Sequence, residues 1–505
     1  MTQLLTERYR DRLAGVLSCY DRVIITGTLP GACYAAGMTS FLNARGVRIF
    51  DYPRFAEPLR ERIRTCAQEV SGQAGVAIEH LNKAHIRKED VVAKVLAARG
   101  DHPGLVHVIS AMAACESYKP WHDKASGKTY LRPDSGKCLH YYYFYFIDEK
   151  LGLCYLRVPT WSPFRLQFYC NGHSWLARKL AAAGIDFALA DNAFVRVADI
   201  ERAQALADAM KPDELHRRLD HYAKRFCPVL DVFGQDYHWS LMQVEYSTDL
   251  VFRSEATLKP LYEQLSRQAV LAVKAEQVAS FLGKKISPAL AQELGSRFDT
   301  RIQGTCLKHR FGKTGVKMYD KFGRVLRLET TTNDVSFFKH HRKVEHRRGP
   351  SSRELAPLKK SLYSLIDLRQ ILLACNRRYL EFLSALEDTS SGERDLVRLT
   401  EPRHEGERTV KGLNFFAPAE QRLLRALQRP EFNIHGMRRA DLTAFVPEMS
   451  PSRLSRQLHR LRSLGLLKRV TRSYRYYLTR LGRGAIAAAS CLTEFQIIPA
   501  LAAAK

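Results

Sequence analysis

The sequence predicts an α+β multidomain protein: a mixed or antiparallel sheet body with flanking helices, followed by a C-terminal winged helix-turn-helix domain. Three observations predict it. Apolar residues recur at every second position in several segments, as in Val316, Met318, Leu326 and Leu328, which is the spacing of a half-buried strand. Other stretches, such as 174–184, 200–210 and 212–226, repeat at helical spacing. The last hundred residues follow a helix–helix–helix–strand–strand pattern with a basic turn between the strands. At 505 residues, 46% hydrophobic and 26% charged, the chain has length for roughly two to four domains and too much apolar content to be disordered.

Residues 1–210 read as an α+β N-terminal domain. Within it "LHYYYFYFID", Leu139–Asp148, is apolar at successive positions and therefore predicts a central strand covered on both sides, with a base-stacking platform as the less favoured use of its rings. Residues 211–384 read as a second α+β domain with a β-meander, whose strands lie in "HWSLMQVEYSTDLVFRS" and in 300–334 between short Gly-containing turns. The polar stretch 385–412 has the composition of a linker, and 413–505 forms the winged helix-turn-helix unit. "FGKTG" is a turn, since seven residues separate Gly304 from Gly312 where a phosphate-binding loop needs four.

The charge balance, 79 Lys+Arg against 52 Asp+Glu for a net +27, points to nucleic acid, because each neutralised phosphate releases counterions. The excess is spread along the chain rather than concentrated beside an amphipathic anchor, so no membrane partner is expected. The charged N-terminal segment lacks the apolar core of a secretory signal, and the eleven cysteines are scattered singly without a CxxC pair. Both features fit reduced thiols and a cytoplasmic location. Cys170 and His173 have a spacing found in metal sites, but zinc needs two further ligands that the neighbourhood does not supply.

The candidate chemistry lies on the polar side of the meander. Period-two geometry places Lys317, Tyr319, Arg327 and Glu329 on one face, and Glu245 and Asp249 join them if the strand in 238–254 belongs to the same sheet. The carboxylates of Glu245, Asp249 and Glu329 could hold Mg²⁺ or Mn²⁺; no other cofactor is implied. Tyr319 is then the candidate nucleophile on a phosphodiester, with Lys317 and Arg327 on the phosphate oxygens. The competing reading is an ordinary solvated sheet face with cross-strand ion pairs.

"KMYDKFGRVLRLE", Lys317–Glu329, resembles a short segment of the replication initiators of filamentous phages and some rolling-circle plasmids. That resemblance implies metal-assisted DNA nicking by a tyrosine, although the His-hydrophobic-His motif carried by many such enzymes has no counterpart here. More broadly, "PGLVHVISAM", "NGHSWLA", "DNAF" and "KMYDKFG" resemble a multi-copy family of bacterial proteins, which implies a mobile-element character and no particular chemistry.

In the C-terminal unit, Ser450 and Pro451 supply the cap and first turn of a third helix with Leu454, Leu458, Leu461 and Leu464 as its buried stripe. Arg453, Arg456, Gln457 and Arg460 face outward from it, and Arg472 and Arg475 lie around the following turn. The unit resembles the winged helix-turn-helix of MarR-like regulators, which implies a helix in the major groove and wing arginines on phosphates. The favoured reading is a nucleic-acid-binding protein of mobile-element or replication-initiator type with DNA as partner. The alternatives are a MarR-like regulator without catalysis and an RNA-binding component of a ribonucleoprotein, for which the basic run Phe338–Arg348 would serve. Oligomeric state is not legible.

Overall fold

Leu13–Thr28, a sixteen-residue strand (β1), is apolar on both faces, burying Leu17, Cys19, Val23 and Ile25, and so occupies the middle of a sheet rather than an edge. In the computed structural model, which describes residues 3–82, 85–284, 298–346, 349–387, 390–406, 408–471 and 473–503, the chain forms two units, Met1–Glu387 and Asp388–Lys505.

In the first unit the further strands include β2 (Ile78–Leu81), β3 (Gly104–Asp123), β4 (Lys128–Asp148), β5 (Gly152–Pro159), β6 (Leu166–Asn171), β7 (Phe187–Ala190), β8 (Ala193–Val197), β9 (His238–Phe252), β10 (Phe298–Gln303), β11 (Cys306–Phe311), β12 (Thr314–Lys321) and β13 (Val325–Thr332). Eleven of them make one mixed sheet in the order β10-β11-β12-β13-β9-β1-β6-β5-β4-β3-β2, antiparallel throughout except for β2 on β3. β7 and β8 form a separate hairpin. The expected division near residue 210 is therefore absent. β1 pairs β6 on one side and β9 on the other, so segments from both sides of 210 share one sheet and one core.

The helices Tyr52–Gln73, Pro212–Phe226 and Leu365–Glu387 bury Leu59 and Ile63, Leu219 and Phe226, and Leu368, Leu372 and Leu383 in that core. Phe144 stacks on Phe226 with ring centroids 4.5 Å apart. Truncating such a buried ring to Ala costs about 3–5 kcal/mol. On the other side of β4, Tyr145 and Ile147 pack with Val92 of the helix Lys88–Arg99. The strand expected to be covered on both sides is so covered.

The second unit has its own core. Its helices Pro418–Leu427, Pro430–His435, Arg439–Thr443 and Pro451–Ser463 precede a two-stranded ladder, Leu467–Arg469 with Tyr476–Leu478. Ser450 accepts from the Arg453 amide ahead of Pro451, and Leu454, Leu458, Leu461 and Leu464 are buried. The stretch expected as a linker, 385–412, instead holds the helix Ser390–Thr400 and the paired strands Arg403–Glu405 and Arg408–Val410. Leu399, 2% exposed, anchors it in the second core, so the boundary falls after Glu387. Arg480–Ala503 is one helical stretch, long and apolar enough by length and composition to cross a membrane. It buries Ile486 and Ala489 and exposes Phe495 and Leu501.

Candidate active site on the polar face of the sheet

Cross-strand register brings the six candidate residues of the first unit together. β13 pairs β9 with Arg327 opposite Asp249 and Glu329 opposite Ser247, while β12 pairs β13 with Lys317 opposite Glu329 and Tyr319 opposite Arg327. Glu245 lies opposite Thr331. This face is not solvated. Arg327, Glu329 and Asp249 are at most 1% exposed, Lys317 and Glu245 are buried, and Tyr319 is half-buried. The β7–β8 hairpin covers part of it, with Ala193 packed against Val251 and Val325.

Two further elements add groups that the alternation pattern did not mark. The β1–β9 register shifts between Tyr20 and Val23, and in this irregular stretch β1 carries Asp21. Such bulges re-aim side chains at functional sites. After β6 the helix Gly172–Ala182 starts with Asn171 accepting from the amides of His173 and Ser174. A Cβ on Gly172 would stand 2.1 Å from the Tyr20 carbonyl oxygen, so only glycine lets this helix start so close to β1 and deliver His173. Asn192, in the hairpin turn, donates to both oxygens of Asp21 and accepts from the Lys321 ammonium at 2.6 Å.

The groups sort into a clamp and a carboxylate cluster. Arg327 donates from Nε and Nη2 to the two oxygens of Asp249, each at 2.7 Å, and from Nη1 to Asp21 Oδ2 at 3.1 Å. Its Nη2 also donates to the Asn192 carbonyl at 2.6 Å and lies 2.8 Å from His173 Nε2. Against the cost of burial, Arg327 holds the Asp249 carboxyl below its ordinary range, and His173 with Arg327 does the same for Asp21. The roles assigned from the sequence change accordingly. Arg327 is consumed inside the sheet and is no phosphate ligand, and Asp249, held bidentately by Arg327, does not join Glu245 and Glu329 in the group of carboxylates that come within ligand distance of one another among the described residues.

Asp21 takes its place. One carboxylate oxygen from each of Asp21, Glu245 and Glu329 lies within 4.8 Å of the others, the spread from which three ligands close on a hard divalent cation. Lys317 Nζ donates to Glu245 Oε1 at 2.9 Å and to Glu329 Oε1, and those carboxylates raise its pKa against burial. Burial, with Glu245 adding to it, pushes Glu329 up to about 7 against the pull of Lys317. Burial and the Glu329 charge also raise the Tyr319 hydroxyl above its ordinary value, so this group stays a phenol rather than an activated nucleophile. A cavity of about 130 Å³, lined by Asp21, Arg22, Tyr169, Glu245, Tyr319 and Glu329 among others, opens the cluster to solvent. Cys170 packs in the core with its thiol pushed up to about 12 by burial, while His173 faces Asp21 and Asp249, so the two do not act as a zinc pair.

In the second unit Arg453 and Arg456 are exposed. Arg460 is not: its side chain is 12% exposed and donates to the carbonyls of Lys411 and Gly412, to Glu420 at 3.1 Å and to Gln457 Oε1 at 3.0 Å. Arg460 and Gln457 therefore hold the fold rather than face a ligand. Arg475 donates to the His435 carbonyl, and Arg472 lies outside the described residues. Exposed Lys468, Arg469 and Tyr474, with Arg469 5.0 Å above the Tyr474 ring, flank the turn in a stretch where the sequence reading singled out only Arg472 and Arg475.

No family model and no curated protein matches the chain. Among solved structures it is similar to the class II 3-hydroxy-3-methylglutaryl-CoA reductase from Streptococcus pneumoniae bound to NADPH, at 8% identity over 90% of this chain and 80% of that one, with a TM-score of 0.17. A likeness at that score carries no argument about fold or function.

Proposed function

We propose that the protein binds nucleic acid through both units and acts on phosphodiesters, in the manner of a mobile-element or replication-initiator protein, with Mg²⁺ or Mn²⁺ held by Asp21, Glu245 and Glu329. The observation that carries the reading is the convergence of three carboxylates on one cavity in a chain of net charge +27. A cation held there would supply charge for a phosphate oxygen and for an attacking water. As the oxygen of that water bonds to phosphorus and the bond to the leaving sugar oxygen breaks, the proton of the water passes to solvent and the leaving oxygen takes one from solvent, while Glu329 holds its carboxylate beside Lys317. Arg22, exposed at the rim, and half-buried Lys321 neutralise the phosphate. Tyr319 lines the cavity as a phenol, and water is the attacking group.

The second unit is the DNA reader in this account, a winged helix resembling those of MarR-like regulators. Its order of helices, ladder and final helix, with Arg453 and Arg456 outward on Pro451–Ser463, supports that assignment. In the first unit the basic two-stranded ribbon Lys339–Val344 with Ser352–Pro357 offers RNA or DNA a phosphate-binding surface. One observation favours a regulator without chemistry: Lys317 already supplies Glu245 and Glu329 with a counter-ion.

The test is incubation with supercoiled and single-stranded DNA and RNA from the gene's own locus plus Mn²⁺. Cleavage that survives Tyr319→Phe and falls at least about 100-fold in Glu329→Gln is the expected result. A covalent protein–DNA adduct lost in Tyr319→Phe would restore tyrosine as nucleophile, and inactivity in protein that binds both polymers would leave the regulator.

A further inference from the structure

Next to the carboxylate cavity lies a larger cleft of about 510 Å³, within the roughly 300–1,000 Å³ of small-ligand sites. The two share Arg22, Tyr169, Asn171 and Asn192 in their walls. Its floor is the polar face of β5 and β6, where Tyr155 pairs with Tyr169 across the strands and the rings stack, centroids 5.1 Å apart and planes within 10°. The Arg22 guanidinium stands 5.7 Å over the Tyr169 ring. Tyr143, next along the same face, packs against Tyr155 at 6.0 Å and carries Lys88 at 4.8 Å. The opposite wall is the helix Lys88–Arg99, with Glu89 and Asp90 lining the cleft.

Tyr143 and Tyr155 border the small apolar cluster of Val92, Tyr145 and Ile147 without being enclosed by it. The neighbouring Tyr142, Phe144 and Phe146 fill the core on the other face of β4, whereas Tyr155 and Tyr169 are half-buried and line the cleft. We propose that this cleft is a nucleobase-stacking subsite that selects single-stranded polynucleotide, the stack of Tyr155 and Tyr169 holding a base and Arg22 holding its phosphate beside Asp21, Glu245 and Glu329. Glu89 and Asp90 set the direction: they repel phosphate and accept from base N–H groups, so the base enters the cleft and the backbone stays at the Arg22 end. A paired duplex cannot supply the base, because its faces are already stacked within the helix. The proposal deepens the phosphodiester reading and rests on it for the placement of the phosphate.

The experiment is fluorescence anisotropy of the full chain with labelled oligo-dT and oligo-U of about 15 nucleotides and with a duplex of the same length. It is run in EDTA, so failure of the cation site or of cleavage leaves its outcome unaffected. Tyr169→Leu and Tyr155→Leu are each expected to weaken single-strand binding by about tenfold, Tyr169→Phe to stay near wild type, and duplex binding to be unchanged in all three. The tighter of the two single strands identifies DNA or RNA as the source. Single-strand binding unchanged in Tyr169→Leu, or single-strand and duplex binding falling together, overturns the proposal. A second readout needs no variant. Photo-crosslinking wild type to oligonucleotides carrying 5-iodouracil should label peptides spanning 152–159 or 166–171, and labelling confined to 388–505 overturns the proposal equally.

Discussion

Arg327→Met tests whether the clamp is as buried and as paired as its geometry states. The substitution keeps an unbranched apolar stem and removes the guanidinium that reaches both Asp249 oxygens at 2.7 Å and Asp21 Oδ2 at 3.1 Å. Asp21 retains donors from Asn171 and Asn192, but Asp249 is left with His173 Nε2 at 3.5 Å. A buried carboxylate stripped of its partner costs about 3–5 kcal/mol, several times an exposed ion pair. All four tryptophans, Trp121, Trp161, Trp175 and Trp239, lie in the first unit, so their emission during urea unfolding reports that unit alone. With a slope of about 3 kcal/mol per M or more for a unit of this size, the midpoint falls by about 1 M. Adding Asp249→Leu removes the stranded charge and should recover more than half of the loss. The pH dependence reverses as well. In the wild type the depressed Asp249 pKa gives stability that is present above the unfolded value, about 3.9, and lost as pH falls through the folded one. In Arg327→Met burial is opposed only by His173 and raises that pKa, so stability now falls as pH rises from about 3.9 through the raised folded value. A cost under about 1 kcal/mol with no recovery in the double variant would refute the clamp.

Glu329 has the opposite sign from wild-type Asp249: its folded pKa, raised to about 7, makes stability fall as pH rises from about 4.5 to 7, and Glu329→Gln should abolish that slope between denaturation curves at pH 5 and pH 8. Arg456→Ala should cost about 1–3 kcal/mol at a preferred duplex site in gel shifts at fixed salt with the melting temperature unchanged. Arg460→Ala should instead lower the stability of the second unit by about 1–3 kcal/mol, because it strips hydrogen bonds from Lys411, Gly412 and Glu420. Gly172→Ala, which forces a Cβ onto the Tyr20 carbonyl, should destabilise the first unit by about 1–3 kcal/mol in the same urea assay.

Alternation alone was enough to place Lys317, Tyr319, Arg327 and Glu329 on one face, because side-chain direction in a strand depends only on parity. Burial of that face was not legible. Its cover comes from a hairpin more than a hundred residues earlier, and sequence-local pattern says nothing of such long-range packing. Asp21 did leave a signal, a lone carboxylate in the apolar run "CYDRVII", but a bulge breaks parity and hides its direction. "CNGH" read as metal spacing, whereas Asn171 is a helix cap and His173 the group it delivers. The division at 210 was misplaced because β1 and β9 pair across more than two hundred residues, and the supposed linker because one buried leucine, Leu399, ties a charged helix to its core.

Calorimetric titration of Mn²⁺ into the full chain at pH 6 and pH 8 tests the carboxylate site most directly. The account predicts saturable binding, tighter at pH 8 and accompanied by proton release at pH 6 as Glu329 ionises, that disappears in the Asp21→Asn, Glu245→Gln double variant. Failure of Mn²⁺ to bind at millimolar concentration, or equal binding by the double variant, would contradict it.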